Sequence, residues 1–147
     1  MAKIATDIKQ SKLLVEILSA DSADMHYNNA SVRGVEYVDN YRLEPYCYTE
    51  AINADWALVY KNHNPLFKII PAWSLSKLME SLPKDKNIET SLSFGCYDSD
   101  GNYKEEWICC YEQLNNIEDD MLEITTSNEA VDACVEMLVK LKKMDLL

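Results

Sequence analysis

The chain has 147 residues, 48% of them hydrophobic, with only three glycines and four prolines. That makeup suits one domain, residues 1–147, with a packed core, and leaves little for long disordered linkers. The formal net charge is −11 at pH 7, and residues 98–136 hold twelve acidic side chains against Lys104 alone, so direct binding to nucleic-acid phosphates or anionic membranes is disfavoured, because both need clustered Lys and Arg.

The chain opens "MAKIATDIKQSKLL". Thr6, Asp7, Lys9 and Gln10 interrupt every apolar run there, so no signal peptide is expected and the protein is read as cytoplasmic. The first helix is expected over residues 7–18, with Thr6 as its cap and Asp7 in its first turn. Ile8, Leu14, Val15 and Leu18 fall near one face at helical spacing. Asp21 and Ser22 read as a turn, and residues 23–27 as a short strand.

Residues 28–64 carry a weaker pattern. "GVEYV" and "EPYCY" read as extended, the latter because Pro45 biases Glu44 away from helix. "WALVY", residues 56–60, is β-rich and reads as a strand, with a short helix over 50–58 as the alternative. "KNHNP" reads as a turn.

"LFKII" leads into "PAWSLSKLMESLP". Ser74 is placed to cap a short helix, and Leu75, Leu78, Met79 and Leu82 make one apolar stripe. Trp73 and Leu78 have the spacing of a hydrophobic staple, and Pro83 ends the helix.

A hairpin follows. "IETSLSFGCY" and "YKEEWICCYE" flank "DSDGN", whose Asp100-Gly101 is a strong turn signal. Tyr103, Trp107, Cys109 and Tyr111 are expected on one face of the second strand. "LNNIEDDMLEI" reads as a loop with a short edge strand. The final helix is expected to start at a capping box, Thr126 to Glu129, and to bury Ala130, Cys134, Met137, Leu138 and Leu141. Together these elements read as an α+β fold: an antiparallel sheet packed against an N-terminal helix, a short central helix and a C-terminal helix.

No constellation of reactive residues emerges. Ser74 lacks the G-x-S-x-G surround of a nucleophile elbow. Five cysteines, odd in number and without CxxC spacing, read as reduced thiols, and only His26 and His63 could activate one. Adjacent Cys109 and Cys110 must point to opposite faces of a strand. "DSDGNY" has Tyr103 and Cys109 where a calcium loop needs Gly and Glu. Glu105 and Glu106, and the run Glu118 to Asp120, read as a solvated face rather than an acid–base pair. No catalytic residue, cofactor or metal is therefore expected. The tyrosines are more suggestive, because tyrosine offers contact area and a hydroxyl at little entropic cost. The candidate interaction surface comprises Tyr37, Tyr41, Tyr46 and Tyr48, together with acidic Glu105, Glu118, Asp119 and Asp120.

"ADMHY" (residues 23–27) and "IPAWSLSKLMESLP" (residues 70–83) resemble a pattern found in small proteins encoded by prophages and other mobile elements of gut bacteria. The likeness extends to "IATDIKQSKLL" and to the final A-x-x-x-M-L-V-x-L helix. It covers about half of the chain and implies a shared fold and a genomic setting, with no assigned activity, cofactor or catalytic residue. The expected function is a non-enzymatic accessory role through contact with a basic protein partner, with homo-oligomers allowed. Two alternatives stand beside it. One is an acidic mimic of nucleic acid that occupies a DNA-binding protein. The other is a small-molecule binder or enzyme whose pocket gathers His26 or His63 with a cysteine, a carboxylate or several tyrosines.

Overall fold

A computed structural model describes residues 2–30, 41–84, 87–114 and 119–147. Among these residues it is an α+β fold with two antiparallel three-stranded sheets rather than one. The chain forms two compact units, Ala5–Lys77 and Met1–Ile4 with Leu78–Leu147. Among the described residues, no helix is long and apolar enough to cross a membrane.

The N-terminal unit contains α1 (Ile8–Leu14), a 3-10 turn (Ala20–Ser22), β1 (Met25–Asn28), β2 (Arg42–Glu44), α2 (Tyr48–Asn53), α3 (Asp55–His63) and β3 (Ile69–Ala72), with strand order β2-β1-β3. The cap of α1 is Asp7, not Thr6. Asp7 Oδ1 accepts the Gln10 amide at 2.8 Å and Gln10 Oε1 accepts the Asp7 amide at 3.1 Å, a reciprocal box. Thr6 is instead fully buried. Its hydroxyl accepts the Trp73 amide at 3.1 Å and pairs with Ser11 Oγ at 2.8 Å. A long-range partner has taken the hydroxyl that local sequence assigns to the cap. The helix also stops at Leu14, four residues early, and Val15 is exposed.

Ser74 does cap the next helix, α4 (Leu75–Ser81), within which the boundary between the units falls. Its Oγ accepts the Lys77 amide at 3.2 Å and its hydroxyl donates to Asp24. The Ser74 amide donates to Asp24 Oδ1 at 2.9 Å. Thus one serine ends β3's approach, starts α4 and holds the segment before β1.

The strand expected over residues 56–60 is a helix, which favours the alternative. α2 and α3 are separated by an extended Ala54, at ψ 144. Asp55 sits in the first turn of α3, and Lys61 and His63 in the last, as the helix dipole prefers. Ala51 and Ala57 are the buried residues of the pair. β-branched and aromatic content suggested a strand, but end charges and small contact residues prevail. Extended structure in "EPYCY" is limited likewise: β2 ends at Glu44 and α2 begins at Tyr48. The expected "GVEYV" strand lies outside the described residues.

The C-terminal unit contains β4 (Ile88–Tyr97), β5 (Tyr103–Leu114), β6 (Asp119–Ser127) and α5 (Ala130–Lys143), with β5 central. The hairpin is as expected. Asp98 Oδ1 accepts the amides of Asp100 (3.0 Å) and Asn102 (2.9 Å). The Asn102 amide foremost holds the Asp98 carboxyl below its ordinary value. Gly101 supplies the positive φ of the turn.

One expectation about β5 is corrected. Phe94 pairs with Trp107 and Cys96 with Lys104, so two steps on β4 oppose three on β5. This bulge breaks the alternation. Tyr103 is therefore exposed, while Cys109 and Tyr111 are buried. β6 is an edge strand as expected, though nine residues long.

α5 buries all five residues assigned to it. The expected capping box is absent, because Thr126 is committed to the β6 ladder opposite Ile108. Glu129 stands at the cap and makes no side-chain cap bond. Its carboxylate accepts the Lys3 amide at 3.0 Å, and Lys3 Nζ pairs with Asp132 at 2.6 Å. The Thr125 hydroxyl donates to the Ala133 carbonyl at 2.7 Å, tying β6 to the helix.

Two substitutions check these assignments. Ser74→Ala should lower stability by about 1–2 kcal/mol in denaturant unfolding, since it removes the cap and a partner of Asp24. Gly95→Ala should cost about 1–3 kcal/mol. Gly95 has φ +83, and a Cβ there would lie 2.2 Å from Tyr103 Oη. Adding Tyr103→Ala should recover only the steric share of that loss.

Candidate functional site

The strongest site lies in the N-terminal unit and begins with strand alternation. His26 and Asn28 share one face of β1, and Arg42 and Glu44 share one face of β2. The antiparallel register sets His26 opposite Glu44 and Asn28 opposite Arg42. Four polar side chains therefore gather on one side of the sheet.

Two of them are buried and satisfy each other. His26 is 1% exposed and Asn28 3%. The Ala30 amide donates to Asn28 Oδ1 at 3.2 Å, which orients the side-chain amide. Asn28 Nδ2 then donates to His26 Nε2 at 3.2 Å, and His26 Nδ1 donates to the Tyr46 carbonyl at 2.8 Å. The chain of bonds assigns the ring hydrogen to Nδ1. Both ring nitrogens are engaged within the unit.

α3 supplies the aromatic wall. Trp56 stacks on His26, with centroids 6.3 Å apart and planes at 28°. Tyr60 meets Trp56 edge-on at 6.4 Å and stacks on Phe67 at 5.6 Å. Asn29 holds the segment that carries Phe67: its Oδ1 accepts the Lys68 amide at 2.8 Å, and its Nδ2 donates to the Leu66 carbonyl at 2.9 Å.

These elements enclose a hollow of about 280 Å³, floored by His26, Asn28, Arg42 and Glu44, and walled by Tyr46, Trp56 and Tyr60. A second hollow of about 290 Å³ shares His26, Tyr46 and Trp56 and adds Glu50. Arg42 is anchored by Nη2 to the Ala30 carbonyl at 3.3 Å. Among the described residues, neither hollow is lined by a serine or cysteine.

The described residues of the expected interaction surface fall in both units. Tyr46 lines both hollows. Tyr41 is half-buried just before β2, and Tyr48 opens α2 with its amide donating to the Ala23 carbonyl at 3.2 Å. Glu105 is exposed at the β5 bulge. Asp119 and Asp120 open β6 opposite Leu114 and Gln113. Tyr37 and Glu118 lie outside the described residues. His26 does gather with a carboxylate and two tyrosines, whereas His63 sits on the exposed end of α3. Asn28, Arg42 and Glu44 were not singled out. Their signal was the two-residue spacing His-x-Asn and Arg-x-Glu.

The cysteines occupy other roles. Cys109 and Cys134 are fully buried. The hydrogen bond between their thiols, and then burial, pushes Cys109 well above the ordinary thiol range. The same bond lowers Cys134, against the effect of burial. Cys134 also donates to Met79 Sδ at 3.6 Å. Cys110, on the opposite face, is raised chiefly by burial. Among the described residues, no group of three or more His, Cys, Asp or Glu could hold a metal ion. Comparison with known proteins finds no matching family model, no matching curated protein and no matching solved structure.

Asn28→Leu keeps the volume but strands His26 Nε2 and the Ala30 amide. It should cost about 1–3 kcal/mol in denaturant unfolding. An unchanged midpoint would show that the buried bond chain does not hold the site.

Proposed function

We propose that the chain is a non-enzymatic, cytoplasmic accessory protein that acts by contact with a partner protein, centred on the aromatic hollow of the N-terminal unit. One observation carries this reading. Tyr46 and Trp56 are 63% and 40% exposed at a hollow that also holds the buried, hydrogen-bonded pair His26 and Asn28. Exposed aromatics over a rigid floor are what contact hot spots use. Val59, three positions after Trp56 on α3, adds an apolar side chain that is 55% exposed. The resemblance of residues 23–27 and 70–83 to mobile-element proteins supplies the setting.

A second reading, a small-molecule binder, is favoured by the hollow itself, whose volume stands near the lower end of ligand sites at about 300 Å³. Native mass spectrometry of protein purified from its host distinguishes the two, since a small ligand would appear as a discrete added mass.

The contact reading is tested with a photo-crosslinking amino acid at position 56, and at exposed Lys9 as control, in the native host. One protein adduct should appear at position 56 and be absent at position 9. Equal labelling at both positions, or none at 56, rejects the reading.

A further inference from the structure

We infer that the hollow receives an organic cation, the basic side chain of a lysine or arginine on the partner. The occupant assignment rests on the contact reading of the same hollow and deepens it.

Three aromatic rings and a carboxylate converge here. Tyr46, Trp56 and Tyr60 line the 280 Å³ hollow beside Glu44. Ring faces carry negative potential, and a cation placed over them is attracted, most strongly over tryptophan. Glu44 is half-buried on β2, and among the described residues no ion pair engages it. A partly buried carboxylate without a cation favours an occupant that brings one. The hollow that shares His26, Tyr46 and Trp56 adds a second carboxylate, Glu50.

The competing occupants fit less well. An anion would meet Glu44, and Arg42, the basic side chain among the described lining residues, is drawn toward the Ala30 carbonyl. His26 has both nitrogens committed and offers an anion no donor. A purely apolar group would desolvate Glu44 and Arg42 without compensation. An apolar occupant is better served by the separate hollow of about 180 Å³ lined by Ile52, Ala57, Leu58, Phe67 and Ile69, with Lys61 beside them. The volume suits one side chain threaded between rings, with its apolar stem against Trp56 and its charged head toward Glu44.

The test uses the full chain and capped tripeptides Gly-X-Gly, with X as lysine, arginine, norleucine or glutamate. Binding is read from the indole N–H resonance of Trp56 and the backbone amide of Glu44. The lysine or arginine peptide should shift both saturably, and 0.5 M salt should weaken the effect. Glu44→Gln, checked for an unchanged melting curve, should weaken it about tenfold. If the variant does not fold, the salt dependence and the norleucine comparison still decide. Norleucine binding as tightly as lysine overturns the cation assignment, as does indifference to both salt and Glu44→Gln. Binding of the glutamate peptide alone does the same. If no peptide binds while position 56 still crosslinks to a protein, the cation assignment falls and the contact reading stands. If both fail, both fall.

Discussion

Burying an imidazole is costly unless its nitrogens find partners, and the N-terminal unit is arranged around meeting that requirement at His26. The ring lies on β1, and its Nδ1 reaches the Tyr46 carbonyl, beyond the end of β2. That bond fixes where the chain turns before α2. Asn28, one pleat further along, satisfies Nε2 and is itself oriented by the Ala30 amide. Trp56 then stacks on the ring and brings α3 with it. The hollow and its exposed aromatics follow from a single buried polar group being made whole.

The C-terminal unit rests on a different constraint. A three-stranded sheet has to cover a face, and α5 does so with a continuous row of fully buried residues, from Val131 to Leu141. Cys109 and Cys134 meet at that interface as small hydrophobes with weak polar edges. At the far end of the hairpin the bulge and Gly95 let the Tyr103 ring lie across bare backbone, a place where a side chain on Gly95 has no room.

Much of this was legible locally. Ser74 needed only its neighbours to read as a cap, and Asp100-Gly101 only its own φ preference to read as a turn. The buried stripe of α5 followed from helical spacing. The errors share one cause. Thr6 and Thr126 are each well placed to cap a helix, yet both are claimed by partners distant in sequence: Thr6 by Trp73, and Thr126 by the ladder to β5. "WALVY" has strand composition, but Ala51 and Ala57 make the contacts that matter, and the end charges suit a helix. The bulge in β5 left no mark beyond Gly95.

The candidate site divides the same way. Residue types carried the α+β class, the hairpin and the terminal helix, because each depends on contacts within a few positions. Sequence also marked tyrosine as the residue to watch around position 46. It offered a pocket joining a histidine to a carboxylate or tyrosines as one alternative, without fixing which of them meet. His26, Glu44, Tyr46 and Trp56 are separated by up to thirty positions, and only pairing of β1 with β2, and α3 lying against their polar face, brings them together. Local propensity is set by the backbone of a few residues, whereas a binding cavity exists only once distant segments have been packed.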